Sequence, residues 1–330
     1  MTLKNRYIKH RTKIFILFMI LVSNMMQAQN EKIIFSPHWI PQAQFAGYYV
    51  ALDQGFYKEA GLDVEIIHPS SEISSLDFLK TGKAQIVSSF LMDGIKLRLT
   101  GLPVINIGQL SQHSALMMVA KKKSGITTIE QLEGKKMGIW SSGFDDILYA
   151  FMKEKAINME VVPILNTINL FLMDGIDALT VMNFNEYDQI INSGINEDEL
   201  NKFYFANYGY DIPEDGLYCL EETYINKKES LKKFVLATLK GWEYAGNNKE
   251  YTIDLVVAQM KKAHLSNNKA HQKWMLDRVL ELISPGYKEV QKGELLKYDF
   301  EHALDLINLN SGNNKIELTI EEFYRNSVKQ

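Results

Sequence analysis

The residues with the clearest capacity for chemistry lie in the stretch "HWIPQAQFAGYYV", which begins at His38. An aromatic ring, two amide side chains and a pair of tyrosines stand there between a predicted buried strand and a predicted helix. Gln44 and Tyr48 are four residues apart and so share one helix face, whereas Tyr49 is expected to pack. Trp39 is compatible with stacking on a ligand ring or with burial in a core. The stretch therefore predicts a pocket wall, an active site, or an amphipathic helix that buries its aromatic rings.

Polar residues follow other predicted strands in the same way. In open α/β sheets, ligands collect at the carboxyl ends of the strands, where loops face a crevice and helix N-termini offer unpaired N–H groups. Ordinary helix capping explains the Ser-Ser-Gly segment equally well, and it explains one residue of the last group but hardly all three. The candidates are Ser88, Ser89 and Asp93, then Ser141, Ser142 and Gly143, and then Asn183, Asn185 and Glu186.

Catalysis and metal binding have little support in the sequence. There is no G-x-S-x-G motif, and the single cysteine, Cys219, lies in a strand-like segment where a buried small residue is expected. The histidines are scattered, His38 fits a structural role better than a catalytic one, and no metal-ligand spacing or phosphate loop is present. We therefore predict no catalytic residue, no metal site and no cofactor.

The predicted elements form two α/β units in tandem, followed by a mostly helical part. Strands alternate with helices from "KIIFS" to "LPVINIGQL" and again from "KKMGIW" to "NEYDQIINSG". Alternation at this spacing predicts parallel sheets covered by helices on both faces. We expect one strand near Leu217–Leu220 to return to the first unit, with the later helices packed outside.

Composition and charge narrow the class of protein. The 330 residues are 46% hydrophobic, enough for two medium-sized cores. Five basic residues precede the apolar run Ile14–Val22, and Ala28 follows at the position where a secretory signal would be cleaved. An uncleaved membrane anchor is the alternative. The apolar run, however, is only about half the roughly 20 residues that span a bilayer. Loss of this leader shifts the formal charge by five units, from −4 to −9. Because nucleic acid and anionic lipid are bound through basic surfaces, the acidic charge argues against both as partners.

Several segments in their order resemble a known family. They are "HWIPQAQFAGYYVALDQGFYKEAGLDVEI", "LKTGKAQIVSS", "LTGLPV", "SGITTIEQLEGKKMGIW", "GIDALTV" and "LKKFVLATLKGWEYA". They are similar to periplasmic solute-binding proteins of ABC transporters in the sulfonate, nitrate and thiamine-pyrimidine group, the superfamily that also contains the fungal thiamine pyrimidine synthases. The resemblance covers about Ile33 to Asn248.

The resemblance implies the type II periplasmic binding protein fold, an α/β fold with two α/β lobes, a central cleft and a helical C-terminal part. The signal peptide would span residues 1–28. Lobe 1 would comprise 29–112 and 213–330 with the C-terminal helices, and lobe 2 would comprise 113–212. The crossovers would lie near Leu110–Met117 and Asn207–Pro213.

The resemblance also shows where this chain departs from the enzymatic members. Those enzymes use a lysine that holds pyridoxal phosphate, a histidine four residues later and a cysteine-rich iron motif. The matching positions here are Ser89 and Asp93, a second family histidine falls on Phe45, and Cys219 is alone. A serine hydroxyl cannot form the Schiff base that a lysine amine forms. The resemblance therefore favours the binding scaffold over the enzyme.

As a binding protein, the chain would hold a small planar ligand in the cleft and deliver it to an ABC permease in the inner membrane, as a periplasmic monomer. Trp39, Tyr48 and Tyr218 would line or stack on the ligand, and the polar candidates would bind its edge. Because no Arg or Lys falls at the predicted strand ends, a thiamine-pyrimidine precursor, or next a flavin-like ring, fits better than nitrate, sulfonate or a phosphate ester. A sensor that reports its ligand to a membrane receptor is the alternative, and a pyrimidine synthase-like enzyme comes third.

Overall fold

The computed structural model describes residues 30–70, 72–140, 145–165, 167–286, 288–312 and 316–329. The predicted leader and the segment 141–143 lie outside the described residues, so the expectations for them remain predictions. Within the described ranges, no helix combines the length and apolar character needed to cross a bilayer.

The first sheet contains the first four strands of the chain and its last one, in the order β2-β1-β3-β10-β4. Strand β1 runs parallel to β2 and β3, whereas β10 runs antiparallel to β3 and β4. The strands are β1 (Glu31–Ser36), β2 (Leu62–Ile66), β3 (Ile86–Phe90), β4 (Val104–Gln109) and β10 (Asp215–Leu220).

The second sheet has the order β7-β6-β8-β5-β9. Strand β6 runs parallel to β7 and β8, and β5 runs antiparallel to β8 and β9. The strands are β5 (Leu116–Lys121), β6 (Lys136–Trp140), β7 (Glu160–Ile164), β8 (Ala178–Met182) and β9 (Leu200–Tyr204).

Each sheet is mixed, so the expectation of parallel sheets was wrong in this respect. The parallel core of each sheet is the part built by strand–helix–strand alternation. The antiparallel members, β5 and β10, follow the two segments by which the chain passes from one sheet to the other. Each of them is the first strand after such a passage and runs antiparallel to both of its neighbours in the sheet. The return of the 215–220 segment to the first sheet was predicted, and it takes a place between β3 and β4.

The helices occupy the faces of the sheets and most of the C-terminal part. They are α1 (Ala46–Asp53), α2 (Phe56–Glu59), α3 (Ser75–Lys80), α4 (Leu91–Leu99), α5 (Asp145–Lys155), α6 (Asn169–Leu172), α7 (Glu186–Asn192), α8 (Glu221–Asn247), α9 (Lys249–Lys262), α10 (Lys269–Ile283), α11 (Lys297–Asn310) and α12 (Ile320–Phe323).

The helix predicted after His38 is divided into three pieces. A 3-10 turn covers Ala43–Phe45, α1 follows, and α2 begins after Gly55. Gly55 has φ of 75°, a left-handed conformation that costs glycine little and ends a helix. The break leaves Gln44 in the 3-10 turn and Tyr48 in α1.

Helix α8 packs closely against α1. A β-carbon added at Gly47 would lie 2.3 Å from the ring of Trp242, and one added at Gly241 would lie 2.2 Å from the carbonyl oxygen of Gly47. Only glycine allows two helix backbones to come this near. The long C-terminal helix therefore fixes the position of α1, and with it the residues that follow β1.

Candidate functional site

A small cavity lies between the two sheets, beside the segment that returns the chain to the first sheet. Its volume is about 10 Å³, room for about one water molecule, and its lining is mainly apolar. Strand β3 and the start of α4 supply one wall, and residues of β5, α5 and β8 supply the opposite wall. The lining residues are Phe90, Leu91, Met92, Leu116, Ile147, Met182, Ile212, Pro213 and Glu214.

Glu214 is the one ionisable residue of that described lining. Its Oε1 accepts hydrogen bonds from the Ser114 hydroxyl at 3.0 Å and from the Ala115 amide at 2.7 Å. Complete burial raises the pKa of Glu214 to about 8, with the neighbouring Asp215 adding to the rise. Near neutral pH the carboxyl group therefore holds its proton, and a basic ligand that pairs with it can convert it to the carboxylate.

Asp215 lies at the start of β10 and belongs to a polar network under the first-sheet wall. The Gln44 amide donates to Asp215 Oδ2 at 3.1 Å, and the Gln42 amide donates to Gln44 Oε1 at 2.7 Å. Burial raises the pKa of Asp215, while His38 and Gln44 oppose the rise. The 3-10 turn after β1 is thus tied to the returning strand.

His38 connects this network to β3. Its backbone N–H donates to Ser88 Oγ at 3.0 Å, and its Nδ1 lies 2.9 Å from the same oxygen. The imidazole ring packs on Phe90, with centroids 4.8 Å apart, and on Phe45 at 5.1 Å. His38 therefore has a structural role: its ring packs on Phe90, and its Nε2 lies 3.3 Å from the Gln44 amide nitrogen.

The remaining candidates of the first sheet differ in how far their side chains are exposed to solvent. Trp39 is 52% exposed, whereas Tyr48 and Tyr218 are fully buried. Tyr218 packs against Gly94 and Phe323, so it can contact a ligand only after a rearrangement. Ser89 is buried in β3, where its register partner is Gly216.

Asp93 lies in the first turn of α4 and pairs with a lysine. Lys96 Nζ is 3.1 Å from Asp93 and 2.6 Å from Asp146 of α5. Burial opposes the charge of Lys96, but the two carboxylates outweigh it and raise the lysine pKa. Burial raises the pKa of Asp93, and Lys96 opposes that rise. Since Lys96 is matched by two carboxylates, it adds no free positive charge for an anionic ligand.

Asn183, Asn185 and Glu186 lie together after β8, but they face different partners. Glu186 Oε2 accepts from the Met182 amide at 2.9 Å, and its Oε1 accepts from the Asn185 amide at 2.7 Å. Burial raises the pKa of Glu186, while these hydrogen bonds oppose it. The Asn183 side-chain oxygen is buried and finds no partner among the described residues. Glu186 therefore organises the loop, and Asn183 keeps an acceptor available.

The sequence reasoning missed Glu214, Asp215 and His271. Gln44 and Asp215 are 171 positions apart, and His271 meets Asp188 across 83 positions. No local spacing links such residues. The predicted crossover near Asn207–Pro213 was the one available signal, since Glu214 and Asp215 follow it directly.

A second, more open hollow of about 330 Å³ lies between the 206–211 segment and α11. Its charged residues pair with each other: Lys288 Nζ lies 3.1 Å from Asp299 Oδ2 and 3.8 Å from Asp211 Oδ2. His113 Nδ1 also contacts Asp211, at 2.8 Å, which raises the His113 pKa. Asp211, in the segment that returns to the first sheet, therefore contacts both His113, in the segment that leaves it, and Lys288, which pairs with Asp299 of α11.

Residues 42–251 match the family described as NMT1/THI5 like. The chain belongs to this family. A formylaminopyrimidine-binding protein of Halalkalibacterium halodurans is 24% identical over 237 residues, which cover 68% of this chain and 70% of that protein. The riboflavin-binding protein RibY of Chloroflexus aurantiacus is 24% identical over 248 residues, covering 72% and 69%.

Other relatives of this NMT1/THI5-like protein match over shorter spans. The chain covers 37% of a Haemophilus influenzae protein named for thiamine biosynthesis, and 32% of the Saccharomyces cerevisiae pyrimidine phosphate synthase THI5. The relatives matched over about two thirds of both chains are binding proteins.

Solved structures show the same fold as this family member. The periplasmic aliphatic sulphonate binding protein SsuA of Escherichia coli superposes with a TM-score of 0.68 at 12% identity, covering 87% of this chain and 95% of that one. The predicted type II periplasmic binding protein fold, with two α/β sheets and a helical C-terminal part, is confirmed.

The buried acid in the cavity predicts how stability changes with pH. The folded-state pKa of Glu214, about 8, lies above the ordinary value of 4.5, so the folded protein holds a proton that the unfolded chain releases between these pH values. We expect the free energy of unfolding to fall from pH 5 to pH 8, on the order of 3 kcal/mol of the fall arising from Glu214. Urea denaturation at several pH values measures this.

Two variants isolate that contribution. Glu214→Gln should remove it, so that its unfolding free energy falls less steeply with pH than that of the wild type. Glu250→Gln changes an exposed carboxylate and should leave the slope near that of the wild type. Parallel curves for the wild type and Glu214→Gln would contradict the assignment.

Proposed function

We propose that this protein is the periplasmic solute-binding component of an ABC importer. It captures a small, planar, weakly basic heterocycle, of which a thiamine-pyrimidine precursor is the first candidate, and presents it to an inner-membrane permease. In this proposal the chain is exported by a signal cleaved near Ala28 and acts as a monomer. The lobes are residues 29–112 with 213–330, and residues 113–212, and they close on the ligand.

The observation that carries the proposal is Glu214 in its apolar cavity. An aminopyrimidine presents a ring nitrogen beside an amino group, a donor and acceptor pair that matches a carboxyl group at two points. A protonated Glu214 donates to the ring nitrogen, and if the proton transfers, the pair becomes charge-assisted. The cavity is smaller than such a ring, so the two walls must separate to admit the ligand, and apolar residues such as Phe90 and Met92 then offer surfaces for the ring faces.

Charge also separates this ligand class from the anions. A sulfonate or nitrate is ordinarily held by Arg or Lys, and the described lining of the cavity contains neither. Its ionisable group is an acid with a second buried acid next to it. An anion brought to this position would find no lysine or arginine to pair with, whereas a weak base can take the proton of Glu214 and pair with the resulting carboxylate.

An enzyme of the synthase type fits the chain less well. Ser89 stands where those enzymes have a lysine, and it is buried in β3 with a hydroxyl that cannot form an imine. The buried Cys219 has its thiol pKa raised by burial, which suits packing and not metal ligation. The proposal therefore assigns no catalytic residue.

Isothermal titration of the purified protein, unfolded and refolded to remove ligand carried through purification, tests this function. We expect formylaminopyrimidine and hydroxymethylaminopyrimidine to bind with micromolar or tighter affinity, riboflavin to bind more weakly, and taurine and nitrate to give no heat. Binding of taurine together with silence from the pyrimidines and riboflavin would overturn the proposal.

A further inference from the structure

Helix α10 contacts both sides of the cleft within one helical turn. On the first-sheet side, Gln272 Oε1 accepts a hydrogen bond from the Ala43 amide at 2.7 Å. On the second-sheet side, His271 Nδ1 lies 2.6 Å from Asp188 Oδ2, and its Nε2 lies 3.2 Å from Asn185 Oδ1. Neighbouring side chains of one helix thus hold the turn after β1 and the helix after β8.

The two groups of contacts come from different faces of α10. Met275, Leu276 and Val279 are buried in the larger core, and α10 packs against the 3-10 turn after β1 and against α9. His271 and Trp274 are three positions apart and share the other face. Trp274 packs beside the smaller core of the second sheet, with its ring centroid 6.2 Å from that of Tyr187.

Beside this ring packing, polar contacts join α10 to the second-sheet side. The Trp274 indole N–H donates to the Asn183 carbonyl at 2.9 Å, next to the buried Asn183 side-chain oxygen that has no partner among the described residues. The His271 and Asp188 side chains are 13% and 10% exposed. When the two sides separate, these polar groups can bond to water instead, whereas separating the apolar face of α10 would expose apolar surface to water.

We propose that α10 is a latch: it stays with the first sheet and holds the second-sheet side in the closed position through His271–Asp188 and Trp274–Asn183. His271, Asp188 and Trp274 position the cleft walls and are not ligand-binding candidates, and Asn183 takes part in the latch through its backbone carbonyl. The closed form is then populated before ligand arrives, and ligand adds to a closure that the latch has already begun. The inference rests on the proposed closing of two lobes, but it can be tested without any ligand.

Single-molecule energy transfer between dyes at Lys58→Cys and Lys155→Cys measures the closure. Both sites are exposed, one in each half, and the native Cys219 is buried, so labelling is selective. Asp188→Asn removes the carboxylate that His271 contacts with little change of shape. Trp274→Phe keeps an aromatic ring but removes the indole donor. Lys273→Ala is the matched control. Lys273 lies on α10 like His271 and Trp274, but its exposed ion pair is with Glu250 of α9 and not with the second-sheet side.

In the absence of ligand, we expect the compact population to fall at least threefold in the double variant Asp188→Asn/Trp274→Phe and to stay unchanged in Lys273→Ala. Some closure should remain, since the Asn310 amide at the end of α11 also donates to the Asp146 carbonyl, at 2.8 Å. Equal energy-transfer distributions in the double variant and the control would overturn the latch. Urea denaturation distinguishes a shift of closure in a folded protein from unfolding.

Failure of the latch and failure of the proposed function give different results. If no heterocycle binds but the double variant still loses its compact population, the latch stands and the ligand assignment falls. If aminopyrimidines bind equally well to the wild type and the double variant and the distributions match, the latch falls and the function stands.

Discussion

Replacing Glu214 by leucine is expected to weaken binding of an aminopyrimidine about 100-fold, which corresponds to about 2.7 kcal/mol. The change removes the one ionisable group of the described cavity lining and leaves the Ala115 amide and the Ser114 hydroxyl without their acceptor. Loss of a hydrogen bond that involves a charged group costs about 1.5 to 3 kcal/mol. Isothermal titration at pH 7 measures the change.

Glu214→Gln separates charge from hydrogen bonding. A glutamine retains an acceptor for Ser114 and Ala115 and a donor for a ring nitrogen, but it cannot become negative. If the bound ligand is protonated, Glu214→Gln should lose about tenfold in affinity, the charge-assisted part of the pairing. Glu250→Gln should bind as the wild type does. Binding by Glu214→Leu within threefold of the wild type would contradict the site.

Gly241→Ala is expected to lower the free energy of unfolding by about 3 kcal/mol. Its β-carbon would lie 2.2 Å from the Gly47 carbonyl oxygen and 2.7 Å from the Ala51 β-carbon, so α8 must move away from α1. Overpacking of this kind costs about 1–3 kcal/mol, and here one of the atoms is backbone, which cannot rotate away. Urea denaturation followed by circular dichroism gives the value.

Gly246→Ala is the matched control on the same helix. Its β-carbon would meet nothing nearer than Leu280 at 3.4 Å, so the better helix propensity of alanine should stabilise the protein by about 0.5–1 kcal/mol. Opposite signs are therefore expected for one substitution at two glycines five residues apart. A Gly241→Ala protein as stable as Gly246→Ala would show that α1 and α8 are not in close contact.

Much of the fold could be predicted because it depends on local pattern. The alternation of apolar strands and amphipathic helices placed β1 to β4 and β6 to β8, and the Leu217–Leu220 segment was expected back in the first unit. The strand "SALMMVAK", which became β5, was not predicted, and neither was β9. Both join the sheet through antiparallel partners that lie far along the chain, so no neighbouring helix marks them.

The candidate site divides in a similar way. The strand-end rule found Gln44 and Ser88, which belong to the hydrogen-bond network of His38 and Asp215, and Asn183, whose side-chain oxygen is buried without a partner among the described residues. It also selected Trp39, whose ring is exposed and for which stacking on a ligand stays a prediction. The rule could not find Asp215, since it precedes a strand and reaches Gln44 only because β10 is inserted beside β3. Contact between these side chains and the ligand stays a prediction.

The class of fold, the family and the acidic net charge could all be read from the amino-acid sequence. So could the serine, Ser89, at the position where imine chemistry needs a lysine. These properties depend on residue type and on spacing within about ten residues, which local sterics and hydrophobic periodicity translate directly into helices and strands. Three properties became visible only in the folded protein: Glu214 is a buried acid with a raised pKa, Tyr218 is enclosed, and α10 joins the two sides of the cleft. Burial and long-range contact decide those properties, because desolvation depends on which distant segments exclude water from a group.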